Sequence, residues 1–212
     1  MTSPGWRDWV ALLDHSEPED RLEAIRLLRE SAEPEAGPSL LEHLRRTLSS
    51  EEEWIQQHAL IGALGACRHA PALEVFEELV VNAELCPEVE EALGQAIVRL
   101  SVENEADVGP VLRLLASGRS ALAQGALEAM ARLRLVPSQA EQSRLVEFAL
   151  GVDLAKDAWS LIWILRAAPG WGGEAYDRLL SHYGAEEYRQ LRQVHGAVVL
   201  AQERKYRDWA RF

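Results

Sequence analysis

Six histidines, two cysteines and a run of three glutamates are the side chains of this sequence that could do chemistry. Their spacing argues against each use. His15, His43, His58, His69, His182 and His195 are scattered, and none belongs to an H-E or H-x-x-x-H pair, so no metal-ligand set forms along one helix face. Cys67 and Cys86 lie 19 residues apart in an otherwise cysteine-free chain, with no ligand-pair spacing beside them. Two free thiols in a reducing cytoplasm are the expectation. Glu51, Glu52 and Glu53 are consecutive and therefore point in different directions on a helix, which suits a solvated first turn better than a carboxylate cluster. "PGWGGEAY" places glycines before a helix start, where an anion can sit, but an ordinary turn accounts for them. No G-x-S-x-G, C-x-x-C or P-loop is present. The expectation is a non-catalytic protein with no cofactor and no metal.

Composition narrows the class of partner. A chain of 212 residues that is 48% hydrophobic can bury a substantial core. Its apolar runs, such as residues 161–165, are too short to cross a bilayer, and no secretory signal opens the sequence. The net charge of −12 resides entirely in residues 1–100, because residues 101–212 carry 14 acids and 14 bases. Residues 51–100 alone hold 10 acids against Arg68 and Arg99. Such a field repels nucleic acid and anionic membrane and attracts basic partners; it also simply favours solubility.

The elements that must carry these side chains read as helices throughout. Apolar residues recur at i, i+3 and i+4, and no β-branched run alternates with period two. Helices are expected over "PEDRLEAIRLLRES", "GPSLLEHLRRTL", "SSEEEWIQQHALIGALGA" with its serines as caps, and "APALEVFEELVV". They continue over "PEVEEALGQAIVRL", "DVGPVLRLLAS", "SALAQGALEAMARLRL", "SQAEQSRLVEFAL", "AKDAWSLIWILRAA" and "GEAYDRLLSHY", with a last segment from about Ala185.

These helices repeat. Ala24-Ile25, Ala59-Leu60, Ala92-Leu93 and Ala126-Leu127 recur at 35, 33 and 34 residues, and Ala158-Trp159 follows. Two helices per 34-residue unit mark an α-solenoid, in which a small residue lets successive first helices approach. The expected fold is all-α: a right-handed solenoid of about five antiparallel pairs in one domain. Residues 1–17 and 183–212 cap the repeats at 18–182. "GWRDWVALL" and "KYRDWARF" echo each other near the two ends, as aromatic covers for the exposed stacking faces.

"ALIGALGACRHAPALEVFEEL" resembles the unit of HEAT repeats, especially the short variety found in phycobilin lyases: A-x-x-A-L-G, a turn, Pro-Ala-Leu, then a second helix. "EEALGQAIVRLSVENEADVGPVLRLL" and "ALEAMARLRLVPSQAEQSRLVEFAL" are similar. The resemblance implies that second helices line a concave groove. Glu74, Glu77 and Glu78 would form an acidic strip there, flanked by Arg45, Arg46 and Arg113. The resulting expectation is a cytoplasmic protein-binding scaffold docking a basic partner on residues 40–115, in the format of an immunity or antitoxin protein. A bilin-lyase-like enzyme and a nucleic-acid-processing HEAT protein are alternatives, the latter opposed by the charge. Trp159 and Trp163 share one helix face: they either pack between repeats, or Trp163 reaches the groove and anchors the partner.

Overall fold

The computed structural model describes residues 5–50, 53–185, 188 and 191–206. Among them no strand occurs, and no helix is long and apolar enough to cross a membrane. The chain divides into two compact units with the boundary between Ser101 and Val102. That boundary falls inside the third expected helix pair.

The first unit contains α1 (Trp6–Leu12), α2 (Pro18–Ser31), α3 (Gly37–Thr47), α4 (Trp54–Ala66), α5 (Ala72–Asn82) and α6 (Pro87–Ser101). Helix α2 begins as its sequence dictates, with proline at its first position and Glu19 and Asp20 in its positive first turn. Its face of Ala24, Ile25 and Leu28 is buried. Helix α4 packs between α2 and α6, while α3 packs against α4 and α5 against α6. The close approach of α4 and α6 is made by Gly65, whose missing Cβ would stand 3.1 Å from the Cα of Ala96. Ala92 is buried in this stack and Ala59 only half-buried, so the small-residue contact falls later along α4 than the alignment of alanines places it.

The start of α4 also differs from expectation. Glu53, not a serine, precedes it and makes no side-chain cap; Glu51 and Glu52 lie outside the described residues. Gln57 instead reaches back from the first turn, its Nε2 donating to the carbonyls of Thr47 (2.8 Å) and Ser50 (2.9 Å). The side chain thus adds a second donor to two carbonyls that already accept from Ser50 N (3.1 Å) and Glu53 N (3.3 Å), tying α4 to the turn that ends α3. Helix α4 closes in a Schellman motif with Arg68 left-handed at φ 51°. His69 N–H donates to the Leu64 carbonyl and Arg68 N–H to that of Gly65.

The second unit contains α7 (Gly109–Leu115), α8 (Ser120–Leu133), α9 (Gln139–Leu150), α10 (Leu154–Ala167), α11 (Gly173–Tyr183) and α12 (Arg192–Gln202). Helix α10 packs between α8 and α12, α7 packs against α8, and α9 against α11. Two tyrosines of α11 tie its neighbours: Tyr176 donates to the Ala201 carbonyl and Tyr183 to that of Ala149, each at 2.6 Å. Helix α10 is kinked where Asp157 leaves helical geometry (φ −143°, ψ 58°) and acts as a second cap. Its carboxylate accepts from Ser160 N (3.1 Å), Ser160 Oγ (2.7 Å) and Ser120 Oγ (2.9 Å). Near the chain end Tyr206 lies under Arg134, whose guanidinium stands 4.9 Å from the ring; Trp209 is outside the described residues.

Candidate docking groove

Helix α5 is amphipathic, and its two faces have different fates. Ala72, Val75 and Phe76 are buried. On the other side Glu74, Glu77, Glu78 and Val81 fall within about 100° of arc at 3.6 residues per turn, and all four are exposed. Val81 is 79% exposed on the same side, about one turn beyond Glu77 and Glu78. These residues border an open groove of about 730 Å³, which Arg45 of α3 and Leu73 also line. No basic side chain lies in the last turn of α5, so its carbonyl end adds to the negative field.

A second concavity of about 490 Å³ lies between the ends of α3 and α5 and the starts of α4 and α6. Its lining is mixed: Leu48, Trp54, Leu79 and Leu85 alternate with Ser50, Gln57 and Glu84, and Cys86 stands among them. The neighbouring positions Asn82 and Ala83 line groove and cleft respectively, as do Arg45 and Leu48 one turn apart on α3.

The structure therefore brings Arg45, Glu74, Glu77 and Glu78 to one groove. Arg46 is drawn elsewhere: it pairs with Glu42 on its own helix and with Asp14 (3.1 Å). Asp14 also meets Nε2 of the buried His43 at 3.0 Å, and this hydrogen bond, with the nearby Arg46, holds the carboxyl below the usual carboxylate range. Arg113 is exposed on α7 in the second unit. Trp163 does not offer a surface for a partner. It is 6% exposed on α10, with Arg166 and Arg132 stacked 4.6 and 5.8 Å from its ring. Apolar burial between neighbouring helices outweighs exposure for a ring with Leu161, Ile162, Ile164 and Leu165 around it. The exposed indole of that pair is Trp159, at 42%.

The remaining candidates hold local structure together. His15 pairs with Asp20 at 2.8 Å, and the His69 ring covers the Cα of Gly37, its own basicity lowered by burial. Both cysteines are free; burial pushes the Cys67 thiol up to about 11. No group of three His, Cys, Asp or Glu side chains able to hold a metal occurs among the described residues. In the second unit a pocket of about 380 Å³ has an apolar floor of Leu115, Ala123 and Phe148. Its carboxylates are already engaged, Asp153 and Asp157 as helix caps and Glu147 with Arg178.

Sequence reasoning found the acidic residues of α5 from their spacing. It missed the second concavity, because Leu48, Trp54 and Leu85 come from three segments whose meeting depends on the α3–α4 and α5–α6 connections. Comparison with protein-family models, curated proteins and solved structures finds no match.

Proposed function

We propose that this chain is a HEAT-like scaffold that binds a protein with a basic surface along the acidic face of α5. The observation that carries the reading is the placement of Glu74, Glu77, Glu78 and Val81, all exposed, on one wall of a groove. Three carboxylates along α5 steer a cationic surface inward, and Val81 supplies apolar contact about one turn beyond Glu77 and Glu78. The packing of α4 between α2 and α6, and of α10 between α8 and α12, supports successive stacking of helices within each unit, as a solenoid requires. Two free cysteines suit a cytoplasmic location. An inhibitor of the immunity or antitoxin type, masking a basic protein, is the form of scaffold that this small acidic chain fits.

The test is affinity capture of the partner followed by titration calorimetry at several salt concentrations. Changing Glu74, Glu77 and Glu78 to Gln should weaken association by about 0.6–3 kcal/mol at low salt, since each exposed charge pair contributes roughly 0.2–1 kcal/mol. The salt dependence should flatten in the triple variant. Equal affinity and equal salt slope in the two proteins would remove the reading.

A further inference from the structure

We propose that the imidazole of His43 is a pH-sensitive latch holding the N-terminal helix α1 on the first unit, closed when the ring is charged and open when it is neutral.

Both ring nitrogens of His43 face oxygen acceptors. Nδ1 stands 2.9 Å from the carbonyl oxygen of Ser39, one turn back on α3, and Nε2 stands 3.0 Å from a carboxylate oxygen of Asp14. A neutral imidazole has one N–H, so its other nitrogen would turn a lone pair toward an oxygen at hydrogen-bond distance. Only the imidazolium donates to both. Asp14 does not supply the missing proton: its hydrogen bond with His43 and the nearby Arg46 favour the carboxylate, and Arg46 Nη1 donates to the same oxygen at 3.1 Å. The ring is 8% exposed, which leaves water little room to replace a lost partner.

The contact matters because of where Asp14 lies. It sits in the connector between α1 and α2, and α1 has little else to hold it. This helix of seven residues buries none of them, and so short a helix does not stand alone. Trp6, Trp9 and Val10 are half-buried; the enclosed side chain is Leu13, just beyond the helix end. The rest of the connector is fastened to α2, by His15 with Asp20 (2.8 Å) and by Arg21 Nη1 donating to the carbonyls of His15 and Ser16. Asp14 is what ties it to α3.

Other charges near the latch are engaged elsewhere. On α3, Glu42 pairs with Arg46. On α1, Asp8 accepts from Gly5 N and Arg7 lies over the Trp6 ring. Glu35 is exposed on the short turn of helix Pro34–Ala36 that packs against α3, and from α4 the uncharged Gln57 reaches the end of α3. As pH rises, His43 gives up a proton, one of its two hydrogen bonds and its charge pairing with Asp14. The α1–α3 tie then weakens, and Trp6 and Trp9 come free with the surface beneath them. His15 loses its charge pairing with Asp20 in the same direction, so the test must separate the two histidines.

The full chain carrying fluorotryptophan is titrated from about pH 5 to about pH 8, the range in which an imidazole changes charge. Fluorine NMR follows Trp6, Trp9 and, as the remote control, Trp159, while nitrogen NMR follows the His43 ring. Both His43 nitrogens should be protonated at the acid end. The Trp6 and Trp9 resonances should move with the same midpoint as the ring, and Trp159 should stay still. His43→Gln should abolish the movement, and Asp14→Ala should hold Trp6 and Trp9 at their alkaline positions throughout. His15→Gln should leave the movement in place. A ring in one protonation state across the range, or one that titrates without Trp6 and Trp9, overturns the latch. So does a response that survives His43→Gln or is abolished by His15→Gln. Should His43→Gln fail to fold, Asp14→Ala decides alone, since it removes an exposed carboxylate: an undiminished Trp6 and Trp9 response there overturns the latch.

Discussion

Gly65 of α4 and Ala96 of α6 meet so closely that a methyl group on the glycine would lie 3.1 Å from both the Cα and the Cβ of the alanine. The obstacle is helix backbone, which cannot turn aside as a side-chain tip can. Gly62, one turn earlier, faces α2, and a methyl there would meet only the guanidinium end of Arg29 at 3.3 Å. The two glycines should therefore respond oppositely to alanine. Gly62→Ala should raise stability by up to about 1 kcal/mol through helix propensity. Gly65→Ala should lose that gain to overpacking, which costs roughly 1–3 kcal/mol. Urea unfolding of the two variants checks this; a stabilised Gly65→Ala would mean that α4 and α6 are not in close register.

The ends of α4, α8 and α12 place arginines, not glycines, in left-handed backbone: Arg68, Arg134 and Arg204 at φ 51°, 56° and 51°. An L-residue pays roughly 1–2 kcal/mol for that conformation. Exposed Arg68 should therefore be improved by glycine, with Arg68→Gly raising the melting temperature. Arg204 differs, because its Nη1 donates to the Trp171 carbonyl at 2.6 Å and its guanidinium stacks 4.7 Å from the Tyr176 ring. Arg204→Gly should gain nothing or destabilise. Equal responses at the two sites would contradict these contacts.

The thiols should separate cleanly. Cys67 is enclosed and its thiol is directed at the Leu28 carbonyl, 3.9 Å away, whereas Cys86 is half-buried at the cleft. One equivalent should react with an aromatic disulfide reagent in the native protein and two in guanidinium. Because burial raises the folded-state value of Cys67 to about 11 from about 9, the unfolded chain ionises first. Stability from this group is fully present below pH 9 and is lost as pH rises toward 11. Cys67→Ala should remove that part of the alkaline loss in thermal melts recorded between pH 8 and 11; an unchanged alkaline slope would contradict it.

Much of the helical plan was legible in the sequence because it depends on local pattern. Proline and acids at residues 18–20 mark the start of α2, and the phase of Leu40, Leu41 and Leu44 marks the buried face of α3. What was not legible depends on contacts distant in sequence or on competing caps. The segment from Ala155 reads as one uninterrupted helix. Asp157 interrupts it because its carboxylate finds Ser120, 37 residues earlier, as well as Ser160. Arg45 and Arg46 are equivalent in sequence, yet Asp14 and Glu42 hold only the second. The tryptophan pair divides in the same way: α10 turns Trp163 into the core and leaves Trp159 outside.

The most direct measurement places a photoreactive amino acid at Val81, which is 79% exposed about one turn beyond Glu77 and Glu78 on the acidic side of α5. The same group is placed at Trp159, exposed in the second unit, for comparison. Irradiation in cells of the source should yield a defined adduct from position 81. Its partner peptide should be rich in lysine and arginine, and the adduct should be lost when Glu74, Glu77 and Glu78 are changed to Gln. An adduct formed from position 159 but not from 81, or one at 81 indifferent to the three glutamates, would contradict the docking groove.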